Sequence, residues 1–294
     1  MKENNFEENP GTPGSLFLVA TPVGNLGDLT ERAIQVLNRV DMIAAEDTRH
    51  TRKLLSYLSI HKRIISYYRE KEKEQAEKIL SLLEKGKNIA LVSDAGTPGL
   101  SDPGAVIVQS AVKKGIRVVP IPGASACLLA LVASGLPTDR FVFEGFLPRK
   151  KKEKRMRLEC LAREERTMVV YEAPHRLIET LSDLKTYLGE DRRLVIAREM
   201  TKVYEEFWRG TLEEAVSEWE VRKSKGEFTL VLEGKSQELI VNQVKDYQPF
   251  YQEVIKRKGE GEKSSSIIRE VAEREGLSRS GLYQYYLNKT KKGD

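Results

Sequence analysis

The chain has 294 residues, 40% of them hydrophobic, which is enough for about two domains with buried cores. Its net charge of +5 permits an anionic partner without requiring one. The two cysteines, Cys127 and Cys160, form no CxxC pair, so neither a disulfide framework nor a cysteine zinc site is supported. The polar start lacks a signal-peptide core, and no run approaches the ~20 apolar residues that cross a bilayer. We therefore expect a soluble, cytoplasmic protein that binds neither a membrane nor a metal.

Short apolar runs alternate with helical patterns after a loose tail at residues 1–14. The predicted strands are Leu16–Ala20, Met42–Ala45, Arg63–Tyr67, Ile89–Val92 and Ile116–Ile121. The predicted helices are 28–40, 51–58, 71–84, 103–114 and 123–134. Asp28 or Thr30 can cap the first helix, and Asp102 followed by Pro103 fits the start of the fourth. This alternation predicts a mainly parallel sheet that is covered on both faces.

A second α/β block follows the predicted strand Arg140–Phe143. Its predicted strands are Thr167–Tyr171, Arg193–Arg198 and Glu227–Glu233, with a helix at Pro174–Leu188. Residues 234–247 have the composition of a linker, and residues 248–294 are charged and helical. We therefore predict a first α/β domain at 15–135, a second α/β domain at 136–240 and a small helical module at 248–294.

Three loops rich in glycine, proline or small residues stand where predicted strands end: Thr21–Gly24, Val92–Gly104 and Pro120–Ser125. In open α/β sheets ligands bind at the carboxyl ends of strands, and glycine lets a ligand approach the main chain. No Walker loop or GxGxxG fingerprint is present, although Glu46 and Asp47 lie about 20 residues after the first loop, where a ribose-binding acid is expected. The pattern predicts an adenosine-like small ligand held largely by backbone groups, with simple tight turns as the alternative.

Six segments resemble one known family. They are TPVGNLGD at 21–28, AEDTR at 45–49, VSDAGTPGLSDPG at 92–104, PGASA at 122–126, YEAPHR at 171–176 and AREMTK at 197–202. The resemblance is to the ribosomal RNA small subunit methyltransferase I family of the tetrapyrrole-methylase (class III) superfamily, and it extends from about Leu16 to Glu233. The segment at 92–104 is highly specific. Met200 is a small departure, because the family often has Leu or another apolar residue there.

This resemblance implies two α/β domains of tetrapyrrole-methylase type, with S-adenosylmethionine bound in the cleft between them, in a homodimer. It implies methyl transfer to the ribose 2′-oxygen of a cytidine in the decoding region of 16S rRNA in the small ribosomal subunit. The cofactor positions that it implies are Pro22, Val23, Asp94, Thr97, Ser125, Ala126, Tyr171, Ala197 and Thr229.

A ribose hydroxyl is a poor nucleophile at neutral pH, so a positioned base, or a cation beside the developing alkoxide, assists methyl transfer. The catalytic candidates in the matching motifs are Asp47, Arg49, Glu172, His175 and Lys202, with Glu46, Arg176 and Glu199 beside them. Local alternatives exist: Glu46-Asp47 can cap a helix or pair with Arg49, His175 can bind backbone groups at a helix start, and Arg198-Glu199 can form an ion pair between domains. We favour functional roles for Asp47 and Arg49, and no single general base follows from the sequence.

Two segments are candidates for RNA binding. The run Arg149–Arg157 contains seven cations and one acid, and its predicted phosphate ligands are Arg149, Lys150, Lys151, Lys152 and Arg155. Residues 264–287 resemble a helix-turn-helix, with Ile267, Ile268, Val271 and Ala272 facing inward and with Arg279 and Tyr283 available to RNA. The alternatives are a solvated helix face for the first segment and a packing appendage for the second.

The sequence thus favours S-adenosylmethionine-dependent methylation of small-subunit rRNA. One alternative is a tetrapyrrole-type small-molecule methyltransferase, whose substrates are also anionic. The other is a non-catalytic RNA-binding factor of ribosome assembly with the same fold.

Overall fold

Five parallel strands form the first sheet of the computed structural model, which describes residues 12–235, 247–275, 277 and 279–291. The strands are β1 (Leu16–Val19), β2 (Met42–Ala45), β3 (Arg63–Ser66), β4 (Ile89–Val92) and β5 (Val118–Ile121). Their spatial order is β3-β2-β4-β1-β5, with β1 paired in parallel to both β4 and β5. This order confirms the predicted parallel sheet, and it brings the ends of β4, β1 and β5 side by side.

Helices cover both faces of the first sheet. On one face α1 (Glu31–Arg39) and α2 (Thr48–Tyr57) contribute Leu37 and Leu55 to a shared core with β1, β2 and β4. On the other face α3 (Glu72–Glu84) and α4 (Ala105–Lys113) contribute Leu83 and Ile107. Of the two predicted caps of α1, Thr30 is the one that acts, because its side chain accepts a hydrogen bond from the Ala33 amide (3.2 Å).

The predicted start of α4 is wrong by two residues. The helix begins at Ala105 with Gly104 as its N-cap, and Asp102 does not cap it. Gly104 has a φ of 154°, and a Cβ there would lie 2.9 Å from the Cα of Gly99. Only glycine can be accommodated at position 104, where the second loop turns back and its main chain approaches Gly99. The Asp102 carboxyl instead lies close to Ser93.

The fifth helix, α5 (Ala126–Ser134), leaves the first sheet and packs on the second. Its buried residues Cys127, Ala130 and Leu131 share a core with strands of the second sheet, including Val169 and Val231. Because α5 directly follows the third loop, this packing brings that loop against the second sheet.

Mixed pairing distinguishes the second sheet from the first. Its strands are β6 (Phe141–Phe146), β7 (Thr167–Glu172), β8 (Arg193–Arg198), β9 (Glu206–Thr211) and β10 (Phe228–Leu232), in the order β6-β7-β10-β8-β9. β6 and β7 are parallel, and the other pairs are antiparallel. The helices α6 (Lys151–Leu161), α7 (Leu177–Leu188) and α8 (Leu212–Val221) contribute buried residues to the core on the face opposite α5. β9 and α8 are not among the predicted elements, and the half-exposed edge strand β9 has no continuous apolar run.

The described residues fall into two structural units, divided between Glu233 and Gly234. The second unit contains α9 (Gln248–Gly259), α10 (Ser264–Glu275) and α11 (Arg279–Lys291). The predicted inward residues of this segment are all buried, namely Ile267, Ile268, Val271 and Ala272. Residues 1–11 of the predicted tail and 236–246 of the predicted linker lie outside the described residues. No helix in the described ranges is long and apolar enough to span a membrane.

Candidate active site

The loops after β1, β4 and β5 are bound to one another at the carboxyl edge of the first sheet. Thr21 and Gly96 exchange two backbone hydrogen bonds of 2.9 and 3.0 Å, and Thr21 Oγ1 donates to the Ser93 carbonyl oxygen (3.0 Å). Thr97 Oγ1 donates to the Ala124 carbonyl oxygen (3.0 Å). The second loop therefore holds both the first and the third, as expected of loops that follow neighbouring parallel strands.

A cleft of about 350 Å³ opens beside the first loop. Its walls come from the first and second loops, one face of α2, the turn between β8 and β9, and the turn between α8 and β10. The residues that define these walls are Pro22, Val23, Gly24, His50, Lys53, Tyr57, Asp94, Lys202 and Glu227. Three of the predicted cofactor residues, Pro22, Val23 and Asp94, thus share one cavity with the catalytic candidate Lys202.

Close packing joins the first loop to the turn after β8. A Cβ at Gly24 would lie 2.4 Å from Lys202 Cγ and 2.9 Å from Thr201 Oγ1. Lys202 Nζ is held in turn by Glu199 Oε1 (2.8 Å) and Glu227 Oε2 (3.1 Å). Glu199 and Thr201 have φ values of 50° and 66°, which are unfavourable for residues that carry a Cβ. Such local strain concentrates at functional sites, and here it presents Lys202 to the loop.

Three carboxyl groups interact where β2 and β4 end. Burial raises the pKa of Glu46 to about 7, and the charges of Asp102 and Asp94 add to this shift. Burial also raises the pKa of Asp102 to about 6, with Asp94 contributing and Arg69 opposing. Asp94 Oδ1 accepts a hydrogen bond from the Asp47 amide (3.1 Å). Of the three, Asp94 lines the cleft, so a cation bound there would relieve part of the repulsion among them.

Asp47 and Arg49 form the local contacts that the sequence left open as an alternative. The Asp47 side chain caps α2 and accepts hydrogen bonds from the amides of Arg49 (2.7 Å) and His50 (3.4 Å). The Arg49 guanidinium lies 3.4 Å from the same carboxylate, and its side chain is 85% exposed. These hydrogen bonds, led by the one from the Arg49 amide, lower the pKa of Asp47. Asp47 is therefore occupied at the start of α2, whereas Arg49 extends into solvent.

The remaining cofactor candidates form a group where α5 meets the second sheet. Thr229 of β10 pairs with Tyr171 of β7 on one side and with Ala197 of β8 on the other, so the three stand in one row. Tyr171 Oη accepts a hydrogen bond from the Cys127 amide in the first turn of α5 (2.9 Å). The row thus lies next to the third loop.

Ser125 and Ala126 begin α5 directly beside this row. Ala126 packs against the core that α5 shares with the second sheet. Among the described residues, Ser125 Oγ is buried without a hydrogen-bond partner. A buried hydroxyl without a partner is unfavourable, so this group is available to a ligand. In the same described part of the chain, no group of three or more His, Cys, Asp or Glu residues is arranged to hold a metal ion.

Comparison with known proteins identifies the family. The family model described as Tetrapyrrole (Corrin/Porphyrin) Methylases matches residues 15–216. A Synechocystis protein named "Ribosomal RNA small subunit methyltransferase I" is 49% identical over 93% of this chain and 98% of its own length. A protein of the same name from Escherichia coli O157:H7 is 42% identical over 98% of this chain and 99% of its own length. The chain belongs to the ribosomal RNA small subunit methyltransferase I family, within the tetrapyrrole methylases.

Superposition on solved structures confirms the fold of the protein. The methyltransferase CobJ superposes with a TM-score of 0.58 at 18% identity, over 75% of this chain and 94% of that one. Uroporphyrin-III C-methyl transferase from Thermus thermophilus, complexed with S-adenyl homocysteine, superposes with a TM-score of 0.53 at 21% identity, over 74% of this chain and 97% of that one. At these identities the likeness shows the tetrapyrrole-methylase fold alone.

Two of the predicted catalytic residues, Glu172 and His175, do not line the cleft. The buried Glu172 carboxylate accepts hydrogen bonds from the Ala173 amide (2.8 Å) and Thr180 Oγ1 (2.6 Å), and Arg176 lies 3.6 Å away. His175 is exposed in a 3₁₀ turn before α7. The structure therefore does not bring these two candidates together with Lys202.

Ion pairs neutralise part of the predicted RNA-binding run on α6. Lys154 is buried against Glu179 and Asp183, and Arg157 pairs with Glu144. Two of the predicted phosphate ligands are paired within α6 or at its start, Lys150 with Glu153 (3.3 Å) and Arg155 with Glu159 (2.8 Å). No ion pair involves Arg149, Lys151 or Lys152 within the described ranges, and all three are exposed. The unpaired positive charge of the run therefore lies on these three side chains.

In the C-terminal unit, the two predicted RNA ligands lie on α11. Arg279 is exposed at its start, and Tyr283 is 44% exposed one turn later. The helices α10 and α11 are consecutive in the chain, and the helix-turn-helix stays a prediction.

Sequence reasoning missed the α2 wall of the cleft. His50, Lys53 and Tyr57 line it, yet none of them was a candidate. The signal was present in the run Arg49-His50-Thr51-Arg52-Lys53, directly after the acidic end of β2. The contact between Gly24 and Lys202 had no local signal, because it joins residues far apart in the sequence.

Proposed function

We propose that this protein transfers a methyl group from S-adenosylmethionine to the ribose 2′-oxygen of a cytidine in the decoding region of small-subunit rRNA. The observation that carries the proposal is the close similarity, 42–49% identity over at least 93% of the chain, to proteins named ribosomal RNA small subunit methyltransferase I. The position of the cleft, at the carboxyl edge of the first sheet and against the second, supports a site for a small ligand.

The residues at this edge fit S-adenosylmethionine. Its adenosine and amino-acid parts need main-chain donors and acceptors at close range, and the joined loops supply them. The unpartnered Ser125 Oγ offers a buried hydroxyl, and the Glu46, Asp94 and Asp102 carboxyls offer an environment that favours a sulfonium cation. The residues that would hold the cofactor are those named from the family resemblance: Pro22, Val23, Asp94, Thr97, Ser125, Ala126, Tyr171, Ala197 and Thr229.

Catalysis by this chain rests on alignment and on removal of one proton. When bound, S-adenosylmethionine would supply an electrophilic methyl group, with S-adenosylhomocysteine as the leaving group, and the ribose oxygen that receives the methyl group loses its proton. The loops that Thr97 and Lys202 hold in place fix the approach geometry, which accounts for much of the rate in such a displacement. Glu46 does not line the cleft itself but interacts with Asp94, which does, and it is the candidate proton acceptor because a base whose pKa is about 7 is well matched to neutral pH. Lys202 lines the cleft and is the cation proposed to stabilise the developing alkoxide, whereas Arg49 would have to turn inward from solvent to assist.

We propose a homodimer as the working form. Helix α5 packs one face on the second sheet and exposes apolar side chains on the other: Leu128, Leu129 and Val132 are 51%, 36% and 70% exposed. A contiguous apolar face on a helix beside the cofactor loops is a typical protein–protein surface. A second copy of this chain on that face would also stabilise the start of α5, where Ser125 and Ala126 lie.

Transfer of a labelled methyl group tests this function. The purified protein is incubated with methyl-labelled S-adenosylmethionine and, in separate reactions, with small ribosomal subunits, naked small-subunit rRNA and a uroporphyrin-type tetrapyrrole. We expect label in ribose 2′-O-methylcytidine after digestion of the RNA. Label in the tetrapyrrole alone would support the small-molecule alternative, and RNA binding without any transfer would support the non-catalytic one.

A further inference from the structure

Helix α2 concentrates positive charge beside the cleft. Its ten residues, Thr48–Tyr57, include Arg49, His50, Arg52 and Lys53 and no acid. All four of these side chains are exposed. Leu54 and Leu55 of this helix are buried and anchor it to the domain, so the basic side chains project from a fixed element.

One face of α2 forms a wall of the cleft. His50, Lys53 and Tyr57 line the cavity, and their spacing of three and four residues places them on the same side of the helix. The Tyr57 side chain is 67% exposed and stands at the end of this row. Lys202 also lines the cavity, where Glu199 and Glu227 offset its charge.

Arg52 and Lys53 of α2 have no acidic partner among the described residues, whereas four of the seven cations in the α6 run are paired. No ion pair involves His50, Arg52 or Lys53 in the part of the chain that the structure describes. Arg49 has its cap residue Asp47 at 3.4 Å, but its side chain is 85% exposed. The acids that face the cleft are Asp94 and Glu227, and Glu227 is already bound to Lys202 (3.1 Å). The α2 wall therefore keeps a positive charge that an anionic ligand can use.

A phosphate-bearing strand matches this arrangement. Lys and Arg side chains bind backbone phosphates, and an exposed tyrosine provides a ring on which an unstacked base can lie. The cavity of about 350 Å³ is open to solvent beside the site of methyl transfer, so a strand can enter it with its neighbouring nucleotides outside.

We propose that the α2 wall, made by His50, Lys53 and Tyr57, binds the single-stranded RNA that flanks the reacting ribose. Lys53 contacts a phosphate, and Tyr57 stacks on the base next to the target nucleotide. This inference rests on the proposed function, because it takes RNA as the substrate. It moves the principal RNA contact from the partly neutralised run on α6 to the unpaired cation Lys53 and its neighbours at the cleft.

The test compares charge removal on three helices. We would measure binding of a small-subunit rRNA fragment by fluorescence anisotropy from 50 to 200 mM salt for the wild type, Lys53→Gln, Lys152→Gln on α6 and Lys73→Gln on α3. S-adenosylmethionine affinity of the same proteins is measured by calorimetry. Tyr57→Leu, which keeps the apolar bulk but removes the aromatic ring, is examined in the same way.

We expect Lys53→Gln to weaken RNA binding about 10-fold and to reduce the slope of log K against log salt by about 0.7–1, as loss of one phosphate contact requires. Tyr57→Leu should weaken binding by at least about 5-fold with an unchanged slope, since stacking does not depend on counterion release. Lys73→Gln, which lies outside the cleft, should match the wild type in RNA affinity, in salt slope and in S-adenosylmethionine affinity.

Binding by Lys53→Gln that equals that of Lys73→Gln, in affinity and in slope, would overturn the inference while leaving the proposed function in place. A larger loss for Lys152→Gln than for Lys53→Gln would also overturn it, because α6 would then be the principal contact. A wild-type protein that neither binds nor methylates the RNA would contradict the proposed function itself, and the two failures are therefore distinguishable.

Discussion

At the carboxyl edge of the first sheet, burial disfavours the charged form of individual carboxyl groups, and a bound ligand can offset that cost. Glu46 is the main case, since burial and the nearby Asp102 and Asp94 raise its pKa from 4.5 to about 7. The folded state then binds a proton more tightly than the unfolded state between these two values. Ionisation of Glu46 therefore destabilises the fold increasingly as the pH rises through this window, and the effect is complete above pH 7.

We predict that Glu46→Gln raises the melting temperature at pH 8 and leaves it nearly unchanged at pH 4.5, because glutamine cannot acquire the unfavourable charge. Thermal unfolding followed by circular dichroism at the two pH values measures this. Glu77→Gln, an exposed position on α3, is the matched control and should have no pH-dependent effect. A melting temperature for Glu46→Gln below that of the wild type at pH 8 would show that the Glu46 charge is stabilising instead.

At the scale of elements, the site depends on how loops from two sheets approach one another. Gly24 allows the first loop to touch the turn that carries Lys202, because any Cβ there would lie 2.4 Å from Lys202 Cγ. We predict that Gly24→Ala separates these elements and weakens S-adenosylmethionine binding about 10-fold, the equivalent of about 1.4 kcal/mol. Calorimetric titration with the cofactor measures the change.

Gly27→Ala is the control from the same loop, since the nearest atom to its Cβ would be Asn25 Oδ1 at 3.2 Å, a much milder contact. It should bind the cofactor with an affinity close to that of the wild type. Equal affinities for Gly24→Ala and the wild type would mean that the contact with Lys202 does not shape the cofactor site.

The sequence predicts some of the secondary-structure elements and their packing, but not all of them. Parallel strands were predictable from runs such as Ile89–Val92, and the convergence of the three loops followed because the carboxyl ends of such strands share one edge. The crossing of α5 to the second sheet, the edge strand β9 and the contact of Gly24 with Lys202 were not predictable in the same way. Each depends on packing between distant residues, which local patterns do not encode.

The α4 cap illustrates the same limit on a smaller scale. Asp102 followed by Pro103 has the composition of a helix start, yet the helix begins at Ala105. The tertiary environment overrides the local preference, since the Asp102 carboxyl faces Ser93 and the charges of Asp94 and Arg69. Family motifs named the site residues, and the structure separates those at the cleft from those, such as Glu172, that are buried in local contacts.

On the scale of the whole molecule, the exposed face of α5 predicts self-association. We expect Val132→Glu to weaken the dimer at least about 10-fold, because burial of a valine stabilises an interface by about 1.5–3 kcal/mol and a buried unpaired charge is strongly unfavourable. Sedimentation velocity over a range of concentrations measures the effect. Val112→Glu on α4, where the native side chain is 63% exposed, is the control. Identical sedimentation of the two variants and the wild type would exclude α5 as the dimer surface.

The most direct test of the account as a whole is a map of ribose methylation in small-subunit rRNA from cells with and without this protein. We predict that one 2′-O-methylated cytidine in the decoding region disappears when the protein is removed and returns when the wild-type chain is restored, but returns only partly with Gly24→Ala. An unchanged methylation map in cells that lack the protein would contradict the proposed function.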